Sequence, residues 1–154
     1  MSTLNALTVA VEVASRKRDE ARRLLQDAQR AQHAAQDQLN QLQGYARETE
    51  GRWGMRADAA VQPEVMFHHY QFMDRLGHAV GLQTGVVSDH ASRVQDATRT
   101  LLEAELRLAS LRKVVEKRQQ DHERQQMRRE QKQTDERASI QVRNAINGPP
   151  GQEY

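Results

Sequence analysis

The stretch MDRLGHAVGLQTGVVSDHASRVQDATRTLLEAELRLASLRKVV, residues 73–115, decides the fold. Stepping through it by three and four residues alternately gives Met73, Leu76, Val80, Gln83, Val87, His90, Val94, Ala97, Leu101, Ala104, Leu108, Leu111 and Val115. Only Gln83 and His90 interrupt an apolar ladder about six heptads long, which is the pattern of a coiled-coil helix. Such a stripe has to be covered, so the rest of the chain is read first as a search for its partner.

The first part of the chain carries a ladder of the same kind. Leu4, Leu7, Val11, Ala14, Arg18, Ala21, Leu25, Ala28, Gln32, Ala35, Leu39, Leu42 and Ala46 follow the same alternation, with Arg18 and Gln32 as the exceptions. Ser2 or Thr3 can cap its start. Between the ladders, Gly51, Gly54 and Pro63 mark a break, because glycine weakens a helix and Pro63 keeps Gln62 out of helical geometry while suiting the first turn of a second helix. The expectation is one all-α domain over 1–154: a helix over about 3–50, a loop over about 51–62, a helix over about 63–146, and a disordered tail over 147–154. Two long helices joined by a short loop fold back on each other, giving a long antiparallel two-helix coiled-coil hairpin.

The polar breaches suggest a register. Setting Gln32 opposite Gln83 lets the two amides pair, and an unpaired buried amide costs about 1–3 kcal/mol. That register puts Leu42 opposite Met73, Leu39 opposite Leu76, Leu25 opposite His90, Arg18 opposite Ala97 and Leu4 opposite Leu111. The first helix then runs out near Leu111–Lys113. The second ladder turns polar there, continuing as Arg118, His122, Gln125, Arg129 and Lys132. About thirty residues, roughly 50 Å of helix, should overhang.

Composition narrows the function classes. There are 23 Lys+Arg against 21 Asp+Glu and only 4% aromatic residues, too few for a thick core and too balanced to imply nucleic acid. Cysteine is absent, which removes disulfides and thiolate metal sites. No signal peptide or membrane span is read, so a cytoplasmic protein is expected. There is no Gly-rich phosphate loop, and none of His33, His68, His69, His78, His90 or His122 has metal-ligand spacing. Two rods offer no pocket for a Ser-His-Asp arrangement, so no catalytic residue, no metal and no cofactor are expected, and the protein is not read as an enzyme.

Three features are left over. Tyr45, Trp53, Phe67, Tyr70 and Phe72 gather toward the expected loop; some of them must close the end of the coil, as Trp53 would at the next ladder position. Phe72, Leu76 and Ala79 form a stripe beside the seam, and Leu42 with Tyr45 forms another, which together suit either end-packing or an exposed docking patch. Gly77, Gly81 and Gly85 recur every four residues off the seam, each at a cost of about 1 kcal/mol against alanine, and read as local softness or as room for another helix. The overhang mixes ten basic with six acidic residues between Arg112 and Arg143, a solvated helix that needs a binding partner to be firmly helical.

With these residues in place, the chain resembles the FliJ family, small coiled-coil components of the bacterial flagellar export apparatus. The resemblance is carried by Gln38-Leu39 through Leu42 and Tyr45, by Tyr70-Gln71-Phe72 with Leu76, Ala79-Val80 and Gln83, and by Glu130-Gln131-Lys132-Gln133-Thr134-Asp135-Glu136-Arg137-Ala138. It implies an antiparallel coiled coil similar to the central stalk of rotary ATPases. It also implies partners: the export ATPase ring (FliI), the export gate protein (FlhA) and export chaperones, with membrane association only through these partners. The gate-binding stripe would fall on Phe72, Leu76, Ala79 and Gln83, the last standing where some relatives have histidine. A shared surface patch would fall on Gln38, Leu42 and Tyr45, with Thr49 at the next position, which is aromatic in the family. The ATPase-ring contact would fall on Arg124, Arg128, Arg129 and Lys132. The alternatives are the equivalent stalk of a virulence-type secretion system and, in a different class, a basic helical nucleic-acid binder or a scaffold coiled coil.

Overall fold

The computed structural model describes residues 2–55 and 62–148. They form two helices, α1 (Ser2–Met55) and α2 (Pro63–Asn147), and no strand occurs among the described residues. Pro63 opens α2, where its missing N–H leaves nothing unsatisfied, and the Gln62 carbonyl accepts the Met66 N–H at 3.2 Å. Glu64 in that first turn complements the positive end of the helix dipole. At the other end Asn147 is still helical and Gly148 forms a bend. The expected tail from 149 onward lies outside the described residues.

α1 does not stop near residue 50. It carries on through Gly51, Arg52, Trp53 and Gly54 to Met55, across the first part of the expected loop. The reason is in the ladder: Thr49 and Trp53 take the next two seam positions, and the Trp53 ring stacks on His69 with centroids 4.1 Å apart. Covering an indole outweighs about 1 kcal/mol lost at each glycine. The remainder of the expected loop, 56–61, lies outside the described residues.

The chain divides into two compact units, Ala14–Leu106 and Met1–Val13 with Arg107–Tyr154. In the first, Trp53 meets His69, Tyr45 meets Phe72, Gln38 meets Gln83 and Arg22 lies 4.0 Å from Glu105. Numbers fall along α1 as they rise along α2, so the helices are antiparallel. Every expected ladder position of this unit is buried or half-buried, and Met66 and His69 extend the α2 ladder toward its start. In the second unit Leu4, Leu7 and Val11 of α1 and Leu108, Leu111 and Val115 of α2 are likewise covered. Beyond Val115, only His122 is other than exposed as far as Gly148, so the second helix overhangs.

The core is thin. Ala14, Ala21, Ala35, Leu39, Leu76 and Leu108 are the buried apolar residues among those described. Three of the six are α1 alanines, small enough for α2 side chains to pack down onto the helix backbone. Arg18 keeps its place in the ladder by running its stem along the seam and turning its guanidinium out to Asp19 Oδ1 at 2.8 Å and Ser15 Oγ at 3.4 Å.

The register differs from the expected one. Gln83 Nε2 donates to the Ala35 carbonyl at 2.9 Å and to Gln38 Oε1 at 3.2 Å, about one helical turn or more beyond Gln32 along α1. Gln32 therefore does not pair with Gln83. Pairing would spare the cost of an unsatisfied amide, but that cost does not arise: a helical carbonyl keeps a second lone pair, and Ala35 is too small to shield it. The observed register also gains the Trp53–His69 and Tyr45–Phe72 contacts, worth about 0.5–1.5 kcal/mol apiece for an aromatic pair.

Candidate interaction surface

The two stripes that the sequence placed beside the seam lie on one surface. The heptad phase puts Phe72 and Tyr45 one step to the same side of their seams, and the antiparallel arrangement brings them edge to face, 6.0 Å between centroids at 86°. Neither is buried: Phe72 is 41% exposed and Tyr45 51%. Next to them Gln38, Gln41, Leu42, Tyr45 and Gln83 line a shallow groove, and the Gln38–Gln83 bond ties the helices together across its floor. A ring pair with this much area in solvent, beside a groove with amide edges, offers an apolar anchor and orienting hydrogen bonds together.

The expected stripe residues divide by accessibility. Phe72 faces solvent; Ala79, Gln83 and Leu42 are half-buried at the seam edge; Gln38 is exposed. Leu76 is only 7% exposed. It belongs to the seam and holds the hairpin together, so a partner can reach it only by way of Phe72 and Ala79. The sequence reading missed three further exposed apolar residues on this side, Val65, Leu82 and Val86. The signal was present, because Val65, Phe72, Ala79 and Val86 are spaced by sevens.

Arg124, Arg128, Arg129 and Lys132 are all exposed on α2 within the second unit. Among the described residues no carboxylate pairs with any of them. The helix around them is laced by its own side chains instead: Gln126 to His122 at 3.3 Å, Gln131 to Asp135 at 3.3 Å, and Thr134 to the Glu130 carbonyl at 2.9 Å. In the same unit Thr3 and Leu4 share a cleft with Arg118, Asp121, His122 and Gln125, where α1 begins. Among the described residues no three His, Asp or Glu side chains gather as a metal site would need, and no helix is long and apolar enough to cross a membrane.

Comparison with known proteins gives two positive findings. The solved structure of CT670, a YscO homologue from Chlamydia trachomatis, superposes with a TM-score of 0.70 at 17% identity, over 97% of this chain and 96% of that one. That likeness carries the fold. No sequence match is found among curated proteins. The family model described as Flagellar FliJ protein matches residues 3–147, and by that match, over nearly its whole length, the chain belongs to the FliJ family.

Proposed function

We propose that this chain is a non-enzymatic, stalk-like component of the flagellar protein export apparatus that couples the export ATPase ring to the export gate and engages export chaperones. The observation that carries the reading is the family match over residues 3–147. The geometry supports it with two separate contact regions on a helical scaffold. One is the half-exposed Tyr45–Phe72 surface, the candidate for the gate protein FlhA. The other is the exposed cationic run Arg124, Arg128, Arg129 and Lys132, the candidate for the ATPase ring of FliI. On this reading the protein is cytoplasmic and reaches the membrane through its partners.

A pull-down tests both assignments at once. Phe72→Ala should weaken capture of the gate's cytoplasmic domain, leaving helix content and capture of the ATPase unchanged. Charge reversal at Arg124, Arg128 and Arg129 should do the opposite. Gate capture that ignores Phe72→Ala removes the gate assignment. The equivalent stalk of a virulence-type system is the second reading, favoured by the likeness to a YscO homologue; at 17% identity that likeness carries less weight than the family match.

A further inference from the structure

The two flanks of the Ala14–Leu106 hairpin are chemically unlike. Residues seven apart on a helix return to nearly the same direction, drifting by only about 20°. Starting from the Tyr45–Phe72 contact, steps of seven pair Gln38 with Ala79, Ala31 with Val86 and Leu24 with Arg93. The Gln38–Gln83 bond fixes the side independently. Starting from the Arg22–Glu105 ion pair on the other flank, the same steps pair Gln29 with Thr98, Gln36 with Ala91 and Gln43 with Thr84. That second flank is polar over these pairs, as the sides of a two-stranded coil usually are, and carries exposed Tyr70 and Phe67 only near the start of α2 and Leu102 on its outer edge. The first, apart from Gln38, is apolar over more than three turns of each helix. Leu24, Tyr45, Val65, Phe72 and Val86 leave between 40% and 51% of their surface in solvent.

Seam plus one apolar flank makes an arc wider than a two-stranded coil uses, and that width is the pattern of a helix with a second neighbour. We propose that this flank, Val65 to Val86 on α2 with Leu24 to Tyr45 on α1, is a bed for an amphipathic α-helix of the gate-side partner, lying along the hairpin with a carboxylate set against Arg75. The inference rests on the export reading for the partner and goes beyond it in the partner's form and in the length of the site.

The form of the occupant is set by spacing and charge. Apolar positions repeat every seven residues, about 10.5 Å along the axis, which a helix matches at 1.5 Å per residue. A strand, with same-face residues about 6.6 Å apart, falls out of step. The bed runs about 32 Å from Val65 to Val86, so it takes a helix of roughly twenty residues. Flank positions turn cationic at its ends, with Arg52 and Lys17 on α1 and Arg93 on α2. Arg75, one turn from Phe72 on the outer edge, has no carboxylate within ion-pair reach among the described residues. The carboxylates on this side are Glu20, Asp27 and Glu48 on α1 and Asp89, Asp96 and Glu103 on α2; Glu48 is held by Arg52 at 2.8 Å, and Asp27 alone lies within the span of the bed. An acidic helix end over Phe72 completes the charge pattern, whereas a second copy seated in parallel would set Arg75 against Arg75.

The test is calorimetric titration of the full-length chain with the gate's cytoplasmic domain. Val86→Glu and Ala31→Glu lie two heptads from the Tyr45–Phe72 contact and should each weaken binding about tenfold, since a charge then enters an apolar contact. Thr84→Glu and Thr98→Glu, on the polar flank, should leave affinity unchanged. Arg75→Glu should weaken binding at low salt and matter less at high salt. Circular dichroism, with Val86→Ser as a milder variant, confirms that the helices persist. Binding that Phe72→Ala abolishes but Val86→Glu and Ala31→Glu leave intact overturns the extended bed and keeps the export reading. Absence of binding by the unsubstituted chain overturns both. Self-association that Val86→Glu abolishes reassigns the flank to a second copy.

Discussion

From Met66 to Val115, α2 covers one residue in every three or four; from Glu116 to Gly148 it covers His122 and nothing else. Both stretches are rich in good helix formers and both are helical, so helicity does not distinguish them. The first is held by a seam, the second by propensity and by bonds between neighbours four apart, such as Gln131 to Asp135. A seam is stabilised collectively, because each covered side chain depends on the one facing it. A lone helix is stabilised turn by turn and is marginal in water.

The sharpest way to break this comparison is to cut the seam. Leu76→Ala or Leu108→Ala should each lower stability by about 2–4 kcal/mol, as buried leucine truncations do. Leu106→Ala, at a residue 60% exposed, should stay within about 0.5 kcal/mol. Urea titration followed by far-ultraviolet dichroism measures all three. Equal losses at Leu76 and Leu106 would mean that the ladder is not what holds the chain.

The glycines give an effect nearly as large and of opposite sign. A Cβ built at Gly77, Gly81 or Gly85 meets nothing within 4 Å, so no close approach inside the hairpin requires them. Replacing all three by alanine should stabilise the hairpin by about 2–3 kcal/mol, the sum of their propensity differences. If the triple variant is destabilised, these positions are crowded in solution. If it is stabilised but loses a partner, the partner uses that face.

The seam was legible in the sequence because its period is written directly in residue type, from Leu4 to Ala46 and from Met73 to Val115. The register was not. Alanines at 14, 21, 28 and 35 accept almost any neighbour, and the acceptor that satisfies Gln83 is a backbone carbonyl, which no side-chain pattern announces. The end of α1 was misread because glycine propensity at 51 and 54 was weighed without the seam position of Trp53, which tertiary contact rewards. Of the surface, Phe72 and Tyr45 were legible as aromatics beside a seam. That their rings meet depended on the register, and that Leu76 is closed to a partner depended on its burial.

A smaller effect tests the register alone. In a double-mutant cycle Gln83→Ala and Gln38→Ala should show coupling of about 0.5–1 kcal/mol, because they share a hydrogen bond at 3.2 Å. Gln83→Ala and Gln32→Ala should be additive. Coupling to Gln32 in place of Gln38 would return the helices to the register in which the two glutamines face each other.

The smallest expected change in global stability concerns the stretch without a seam. Ala138→Gly sits on an exposed turn and costs about 1 kcal/mol of local helix propensity. Nothing packs on that turn, so the midpoint for the hairpin should not move; the loss should appear only as faster amide exchange from about Glu130 onward. Exchange through Glu116–Asn147 should already be much faster than across Leu76–Leu108, since opening it breaks no apolar contact. A docked partner should slow it, and Ala138→Gly should then weaken that partner by up to about tenfold, because the helix has to be re-formed on binding. A midpoint that shifts with Ala138→Gly in the isolated chain would show that the exposed stretch and the seam unfold together, which would erase the distinction between the two halves of α2.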